Sequence, residues 1–499
     1  MATITVSNLS FHYDESYDNI FENVSFSIDT SWKLGFIGRN GRGKTTFLNL
    51  LMGKYEYSGN ISANVHFDYF PFEINDKSKT TYEIAYEINS AFEEYEKWKL
   101  DREVSLLEME PEDILNRPFE TLSKGEQTKV LLAILFIRDN NFLLIDEPTN
   151  HLDAQSRVIV AKYLNGKRSF ILVSHDRTFL NNCVNHILSI NKTNIEIQQG
   201  NFSSWLENKE RQDIFELAEN EKLKRDISRL EQSAKQATDW SYKIEASKSR
   251  NTAQSDNRVD KGFIGAKAAK MAQRAKNTEN RRDKAVEDKS KLLKNIETAE
   301  SLKLNPLTYK NNRLIDISNL SIFYGENKVC EDVDFVVENG DRIHLKGPNG
   351  CGKSSIIKLI LGQNISYVGN VFVANEMKIS YVSQDTSFLM GNLTDFARES
   401  NIDESLFKSI LRKFDFARIQ FDKNMENYSE GQKKKVLIAK SLCEQADLYI
   451  WDEPLNYIDF LSRIQIEDVI LNYRPTMIFV EHDELFSEKI ATDVVLFLK

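Results

Sequence analysis

The sequence is short of cysteine and proline and has no long hydrophobic run, and each shortage excludes something. Its four cysteines, Cys183, Cys330, Cys351 and Cys443, stand singly with no CxxC pair. They therefore build neither a disulfide framework nor a zinc site and fit reduced thiols in a reducing compartment. The longest unbroken apolar stretch, VLLAILFI at 130–137, is far too short to cross a bilayer. The amino terminus, MATITVSNLSFHYDE, has neither the basic nor the apolar region of a secretory signal. The expected location is the cytoplasm, without membrane contact. No proline occurs between Pro148 and Pro306, and no glutamine precedes Gln127. The first gap removes the strongest helix breaker from a long stretch. What remains is an ordinary globular composition, 41% hydrophobic over 499 residues, enough for two or three domains.

The chain also repeats itself. GRNGRGKT at 38–45 recurs as GPNGCGKS at 347–354, LLIDEPTNHLD at 143–153 as YIWDEPLNYID at 449–459, and SHD at 174–176 as EHD at 481–483. The copies lie 306 to 309 positions apart, and three motifs in nearly constant register mean a duplicated domain. The expected boundaries are 1–204 and 306–499 for the two copies, with 205–305 between them.

That separator differs in kind. Lys, Glu, Ala, Asn, Arg and Leu dominate it, which suits long exposed helices. Leu223, Ile227, Leu230, Ala234 and Ala237 follow a 4-3-4-3 spacing that Leu292, Ile296 and Ala299 resume. The pattern predicts an antiparallel helical hairpin turning at about 241–265, where Ser, Asn, Asp and Gly cluster. A helix of about 40 residues reaches roughly 60 Å, so such a hairpin carries its tip far from its base. On periodicity alone it is equally a solvated spacer. The formal net charge is −10, yet Ser241–Lys284 holds twelve Lys/Arg against five Asp/Glu, so this window is +7 and the rest −17.

In each copy an apolar run enters a glycine-rich loop and leaves into a helix. Gly38, Gly41 and Gly43 allow backbone amides to approach phosphates, Lys44 supplies charge to the β and γ oxygens, and Thr45 can ligate Mg²⁺. Asn40 and Thr46 complete the first cradle. Gly347, Asn349, Gly350, Gly352, Lys353, Ser354 and Ser355 make the second. Asp146 and Asp452 end apolar strands and suit the same Mg²⁺. Glu147 and Glu453 follow as water-positioning bases. His175 and His482, each after an apolar strand, suit the γ-phosphate. Two ATP sites with Mg²⁺ are the expectation.

These residues resemble the ATP-binding-cassette superfamily over both halves. The resemblance implies an α/β fold class: two tandem ABC-type P-loop ATPase domains, joined here by the long antiparallel α-helical hairpin linker. It assigns LSKGEQ at 122–127 and YSEGQK at 428–433 as signature segments. It also implies a monomer whose two domains pair head to tail within the chain. Ser123 and Gly125 then face the ATP on Lys353, and Ser429 and Gly431 the ATP on Lys44. Tyr13 and Tyr324 fall where the family stacks an aromatic on adenine. Gln384, in YVSQD, fits a glutamine that the family places near the metal, whereas Phe72 occupies the matching place in the first half. Tyr428 and Glu430 stand where Leu and Gly are usual, so the Lys44 site is expected to be the slower or more regulatory, the Lys353 site the more orthodox; the alternative is that both hydrolyse equally, with Glu73 or water replacing the missing amide.

Fused cassettes without a membrane segment are similar to the ABC-F group, which acts on ribosomes. Lys44 to Ser123 spans 79 residues and Lys353 to Ser429 spans 76, leaving no room for the extra arm of that group's housekeeping factor. The chain ends soon after His482, without the terminal coiled coil of some relatives. An armless member with a basic linker resembles the antibiotic-resistance type. WKLGFIGRNGRGKTT, ELAENEK and YIWDEPLNY are most similar to the Lsa-type proteins. The resemblance implies binding to the 70S ribosome at the exit-tRNA (E) site, with the hairpin reshaping the 23S rRNA of the peptidyl-transferase centre or the P-site tRNA. It implies protection against lincosamides, streptogramin A and pleuromutilins, with ATP hydrolysis driving release. A general translation factor and a transporter's ATPase subunit are the alternatives. Lys243, Lys248, Arg250, Arg258, Lys261, Lys267, Lys270, Arg274 and Lys276 suit RNA phosphates, while Trp240, Tyr242 and Phe263 either stack on bases or pack the hairpin.

Overall fold

The structure is a computed structural model describing residues 2–13, 19–89, 96–137, 141–150, 152–190, 195–251, 300–325 and 327–497, with backbone alone at 227, 230, 231 and 233–251. The chain divides into two units, Met1–Trp205 with Ala299–Lys499, and Leu206–Thr298.

The first unit holds both copies of the duplicated domain. Each has a mainly parallel sheet whose central strands are apolar throughout. FILV at Phe170–Val173 and MIFV at Met477–Val480 are buried at every position, as strands covered on both faces must be. In space the first sheet runs His66–Phe70, Asn141–Asp146, Phe170–Val173, Lys33–Gly38, His186–Ile190 and Ile195–Gln199, the last strand antiparallel. The second runs Ile379–Val382, Leu448–Asp452, Met477–Val480, Arg342–Lys346 and Asp493–Leu496. A three-stranded antiparallel sheet joins each: Phe21–Asp29, Thr3–Phe11 and Ser58–Ser62 in the first copy, Asn327–Glu338, Arg313–Tyr324 and Ser366–Val373 in the second. Phe36, Phe47, Phe142 and Ile171 centre one core, and Ile343, Leu345, Ile356 and Ile478 the other. Lys33–Gly38 and Arg342–Lys346 lie inside their sheets and each opens directly into a phosphate loop, so core packing sets where the loops sit.

The described part of the second unit is helical. One helix runs Phe202–Asn251, about 75 Å at 1.5 Å per residue. It continues through the first eleven residues of the 241–265 segment expected to turn. The rest of that segment, and the returning arm, lie outside the described residues. The separator, expected over 205–305, corresponds to the second unit, Leu206–Thr298. Phe202 and Trp205 in the first helical turn pack edge-on against Phe460, with centroids 5.9 and 5.4 Å away. Leu302 and Leu304 are buried in the core of the second copy. Apolar side chains flanking a polar helix were drawn into the nearest core. Among the described residues no helix is long and apolar enough to cross a membrane.

Candidate functional site

The first phosphate loop leads into the helix Lys44–Leu51 through Gly43, whose φ of 90° is a left-handed conformation. A Cβ there would stand 2.4 Å from the Ile20 side chain, so only glycine fits. Lys44 is buried, and its Nζ donates to the Gly38 and Arg39 carbonyls at 2.8 and 3.2 Å. Lys353 Nζ does the same to Gly347 and Pro348 at 2.9 and 2.7 Å. Both ammonium groups rest on carbonyls inside the loop, ready for phosphate oxygens. Burial lowers the pKa of Lys44, with Glu147 pulling it back.

Thr45 Oγ1 donates to Asp146 Oδ2 at 2.8 Å, and Ser354 makes the equivalent bond to Asp452. Burial, then Glu453, pushes Asp452 up to about 6. Asp452 Oδ1 is buried without a hydrogen-bond partner. A hydroxyl beside a carboxylate with a spare, desolvated oxygen fits Mg²⁺, which takes few protein oxygens and completes its shell from phosphates and water. Gln384, expected near the metal, lines the cavity with Ser354 and donates from Nε2 to Glu453 Oε2 at 2.8 Å.

The two glutamates differ. Glu453 accepts from Gln384 and, at 2.8 Å, from Asn456, and lies 3.5 Å from His482 Nε2. Burial alone would raise its pKa, but the bonds from His482 and Gln384 outweigh burial and hold it at about 2. Lys434, unremarked in the sequence, donates to the Glu453 and Ser383 carbonyls at 3.1 and 2.9 Å. Glu147 has no such amide, because Phe72 stands where Gln384 does. Its Oε1 is buried without a hydrogen bond, 3.4 Å from His175 Nε2. Burial, then Asp146, pushes Glu147 up to about 8. In the first copy a hydroxyl holds the neighbouring aspartate: Tyr69 donates to Asp146 Oδ2 at 3.1 Å. An aromatic in the strand HFDYF carries no sequence signal for that role.

His175 is buried and well below its usual pKa, first because of burial and then because of Lys44. Its Nε2 meets Asn40 Oδ1 at 2.9 Å, while Asn40 Nδ2 donates to the Tyr457 carbonyl of the other copy at 2.6 Å. The amide can only accept on the histidine side, so the imidazole proton sits on Nε2.

The head-to-tail pairing expected of the two domains is present. Ser429, Glu430 and Gly431 line a cavity of about 440 Å³ together with Tyr13, Asn40, Gly41, Gly43, Lys44, Thr45, Thr46, Asp146, Glu147 and His175. Gly431 approaches the first cassette so closely that a Cβ would lie 2.8 Å from Asn40 Nδ2. Asn349, Gly350, Gly352, Lys353, Ser354, Ser355, Gln384, Glu453 and His482 line the second cavity, about 430 Å³, with Lys124 from the opposite signature. Lys124 lies between Ser123 and Gly125, the two expected there; Ser123 caps its helix, accepting from Glu126 N at 3.2 Å. Asp153 accepts from the Asn349 backbone. The adenine candidates behave alike: Tyr13 shares a hydrogen bond with Thr46 at 2.8 Å, and Tyr324 donates to Ser355 at 3.2 Å. Tyr55, stacked edge-on to Tyr13 at 5.7 Å, extends the first platform. Glu430, an anion where phosphate should sit, is held by Thr386 at 2.6 Å and Lys433 at 3.0 Å.

Of the expected RNA contacts, Trp240, Tyr242, Lys243, Lys248 and Arg250 fall on the long helix. Arg258, Lys261, Phe263, Lys267, Lys270, Arg274 and Lys276 lie outside the described residues.

Comparison with known proteins agrees with this geometry. A family profile described as "ABC transporter" matches residues 21–150 and 330–456. The chain is 26% identical over 492 residues to the ribosome protection protein VmlR of Bacillus subtilis, covering 97% of this chain and 85% of that protein. It is 25% identical over 530 residues to the energy-dependent translational throttle protein EttA of Escherichia coli, covering 96% and 89%. Among solved structures, the archaeal ribosome recycling factor aABCE1, in complex with the ribosomal stalk protein aP1, superposes with a TM-score of 0.63 at 18% identity, over 99% of this chain and 87% of that one. With two matched cassettes, each carrying a phosphate loop, an acidic strand end and a facing signature, the chain belongs to the ABC transporter family and is an ATPase of the ABC-F type.

Proposed function

We propose that this ATPase works in the cytoplasm on the 70S ribosome, binding at the exit-tRNA site and using the segment between its cassettes, folded as a helical hairpin, to reshape the peptidyl-transferase centre. The observation that carries this reading is the head-to-tail pair of ATP cavities within one chain, interrupted by a long helix that runs into the +7 window. Its support is the full-length likeness to a ribosome protection protein and a translational throttle protein. A basic element on an acidic body docks on a phosphate lattice through that element alone.

Chemically, ATP in each cavity would lie between one phosphate loop and the other cassette's signature. Lys44 and Lys353 exchange loop carbonyls for phosphate oxygens. Ser429 and Gly431 close over the first ATP, and the segment around Lys124 over the second. Mg²⁺, held by Thr45 and Asp146 or by Ser354 and Asp452, would neutralise charge on the β and γ oxygens. Glu453, ionised and fixed by Gln384 and Asn456, positions the attacking water at the second site. Glu147 does so at the first with fewer supports, so the second site carries most turnover. ATP binding holds the cassettes together on the ribosome, and hydrolysis releases them.

The finer reading is displacement of lincosamides, streptogramin A and pleuromutilins, as in the Lsa-type proteins. Inhibitory concentrations measured with and without the gene test it. A rise of fourfold or more for these classes, abolished by Lys353→Ala, supports it. Unchanged concentrations, with growth altered instead, favour a general translation factor.

A further inference from the structure

The first phosphate loop contains Arg39 and Arg42 where the second has Pro348 and Cys351. Both guanidiniums reach across to the other cassette. Arg42 Nη2 lies 2.9 Å and Arg39 Nη1 3.5 Å from the same oxygen, Asp415 Oδ2. Only 8% of the Arg39 side chain and 27% of Asp415 are exposed, so water screens the cluster less than it would a surface pair.

Asp415 is held for this role. It follows the helix Glu404–Lys413 with φ 64°, its N–H donating to Arg412 O and that of Phe416 to Leu411 O. The carboxylate thus stands at the negative end of a helix, where cations are favoured. The neighbouring Phe414 carbonyl accepts from Lys435 Nζ at 2.9 Å, and Lys435 pairs with Asp459 at 2.6 Å. Lys435 belongs to the helix Glu430–Cys443, whose first residues line the first ATP cavity. The acid that grips the arginines is therefore tied, one residue away, to the signature helix itself.

The first cassette repeats the acidic half of the device. Glu108 follows its helix with φ 56° and the same closing bonds, Glu108 N to Ser105 O and Met109 N to Val104 O. The second phosphate loop, GPNGCGKS, has no arginine to meet it.

We infer that Arg39 and Arg42 are positioning residues that clasp Asp415 and so seat Ser429 and Gly431 over the first ATP, a clasp the second site lacks. The first site stays assembled through protein charge; the second phosphate loop is met through its backbone, by Asp153, and its closure depends more on the nucleotide. The inference rests on ATP occupying the first cavity and is independent of ribosome binding.

The test is an equilibrium titration of full-length protein with a fluorescent ATP analogue, in a Lys353→Ala background so that only the first site binds. Asp415→Arg, Arg42→Asp and the isosteric Asp415→Asn should each weaken binding about fivefold, the scale of a partly screened ion pair. The double swap, Arg42→Asp with Asp415→Arg, should restore most of the affinity, a rescue that general loosening of the fold would not produce. Unchanged affinity in Asp415→Asn, or a well-folded swap no tighter than its single parents, overturns the clasp. If Lys44→Ala added to the Lys353→Ala background leaves binding intact, the assignment of ATP to the first cavity falls, and the clasp with it.

Discussion

Thr386 Oγ1 donates to Glu430 Oε2 at 2.6 Å, and this bond ties an acid at one ATP cavity to the loop that serves the other. Thr386 follows closely on Gln384, whose amide holds Glu453 at the second site, while Glu430 lines the first. Replacing Thr386 by Val frees the carboxylate to turn toward the first phosphate. Affinity for ATP at that site should fall about tenfold, the worth of one hydrogen bond to a charged group. Nucleotide titration in the Lys353→Ala background reads it, and unchanged affinity would mean that Lys433 alone restrains Glu430.

The two glutamates should not be equivalent. Glu453 is held by Gln384 and Asn456, whereas Glu147 keeps a buried oxygen without a hydrogen bond. Steady-state ATPase of Glu453→Gln should therefore fall at least about tenfold, within the range for loss of a positioned base, while Glu147→Gln keeps more than about half. Equal losses would show that the missing amide in the first half has no kinetic consequence.

Asn40 connects His175 to the Tyr457 carbonyl of the opposite cassette. Asn40→Ala leaves that carbonyl and the histidine without their partner, a cost of about 1–3 kcal/mol at a buried site. First-site ATP hydrolysis, measured in Glu453→Gln, should drop about tenfold or more, with the thermal midpoint lowered by a few degrees. Full activity would remove Asn40 from the closure mechanism.

His344 supplies a pH dependence. It is 3% exposed, stacked on Phe479 with centroids 5.0 Å apart, and its Nε2–H faces the Glu481 carbonyl at 3.1 Å. Burial pushes its pKa down to about 4, below the value near 6.5 of the unfolded chain. The folded state thus favours the neutral ring, so this contribution is complete above pH 6.5 and is lost as pH falls toward 4. Wild type should lose up to about 3 kcal/mol relative to His344→Gln across that window. Parallel melting curves with the same pH slope would contradict it.

The phosphate loops, the acidic strand ends and both histidines were legible in the sequence because phosphate chemistry requires particular residue types at fixed spacing, and duplication displayed each twice. The tyrosines at 13 and 324 came from the family resemblance, and the structure brings both to the start of their phosphate-loop helices. Pairings made by tertiary packing were not legible. Nothing local marks Tyr69 as a partner for Asp146, or Lys434 as a donor to the Glu453 carbonyl. Nor does anything local mark Thr386 and Lys433 as the groups that hold the Glu430 oxygens. Periodicity reports a helix and not what the residues at its ends bury. Phe202, Leu302 and Leu304 carry no local mark of core packing, yet all three are buried.

In the proposed mechanism the ATP-bound cassettes grip the ribosome. The most direct measurement is co-sedimentation of the Glu147→Gln, Glu453→Gln double variant with 70S ribosomes through a sucrose cushion, with ATP or with ADP. Near-stoichiometric protein should appear in the ribosomal pellet with ATP and little with ADP. A folded, ATP-binding double variant that stays in the supernatant under both conditions would contradict it.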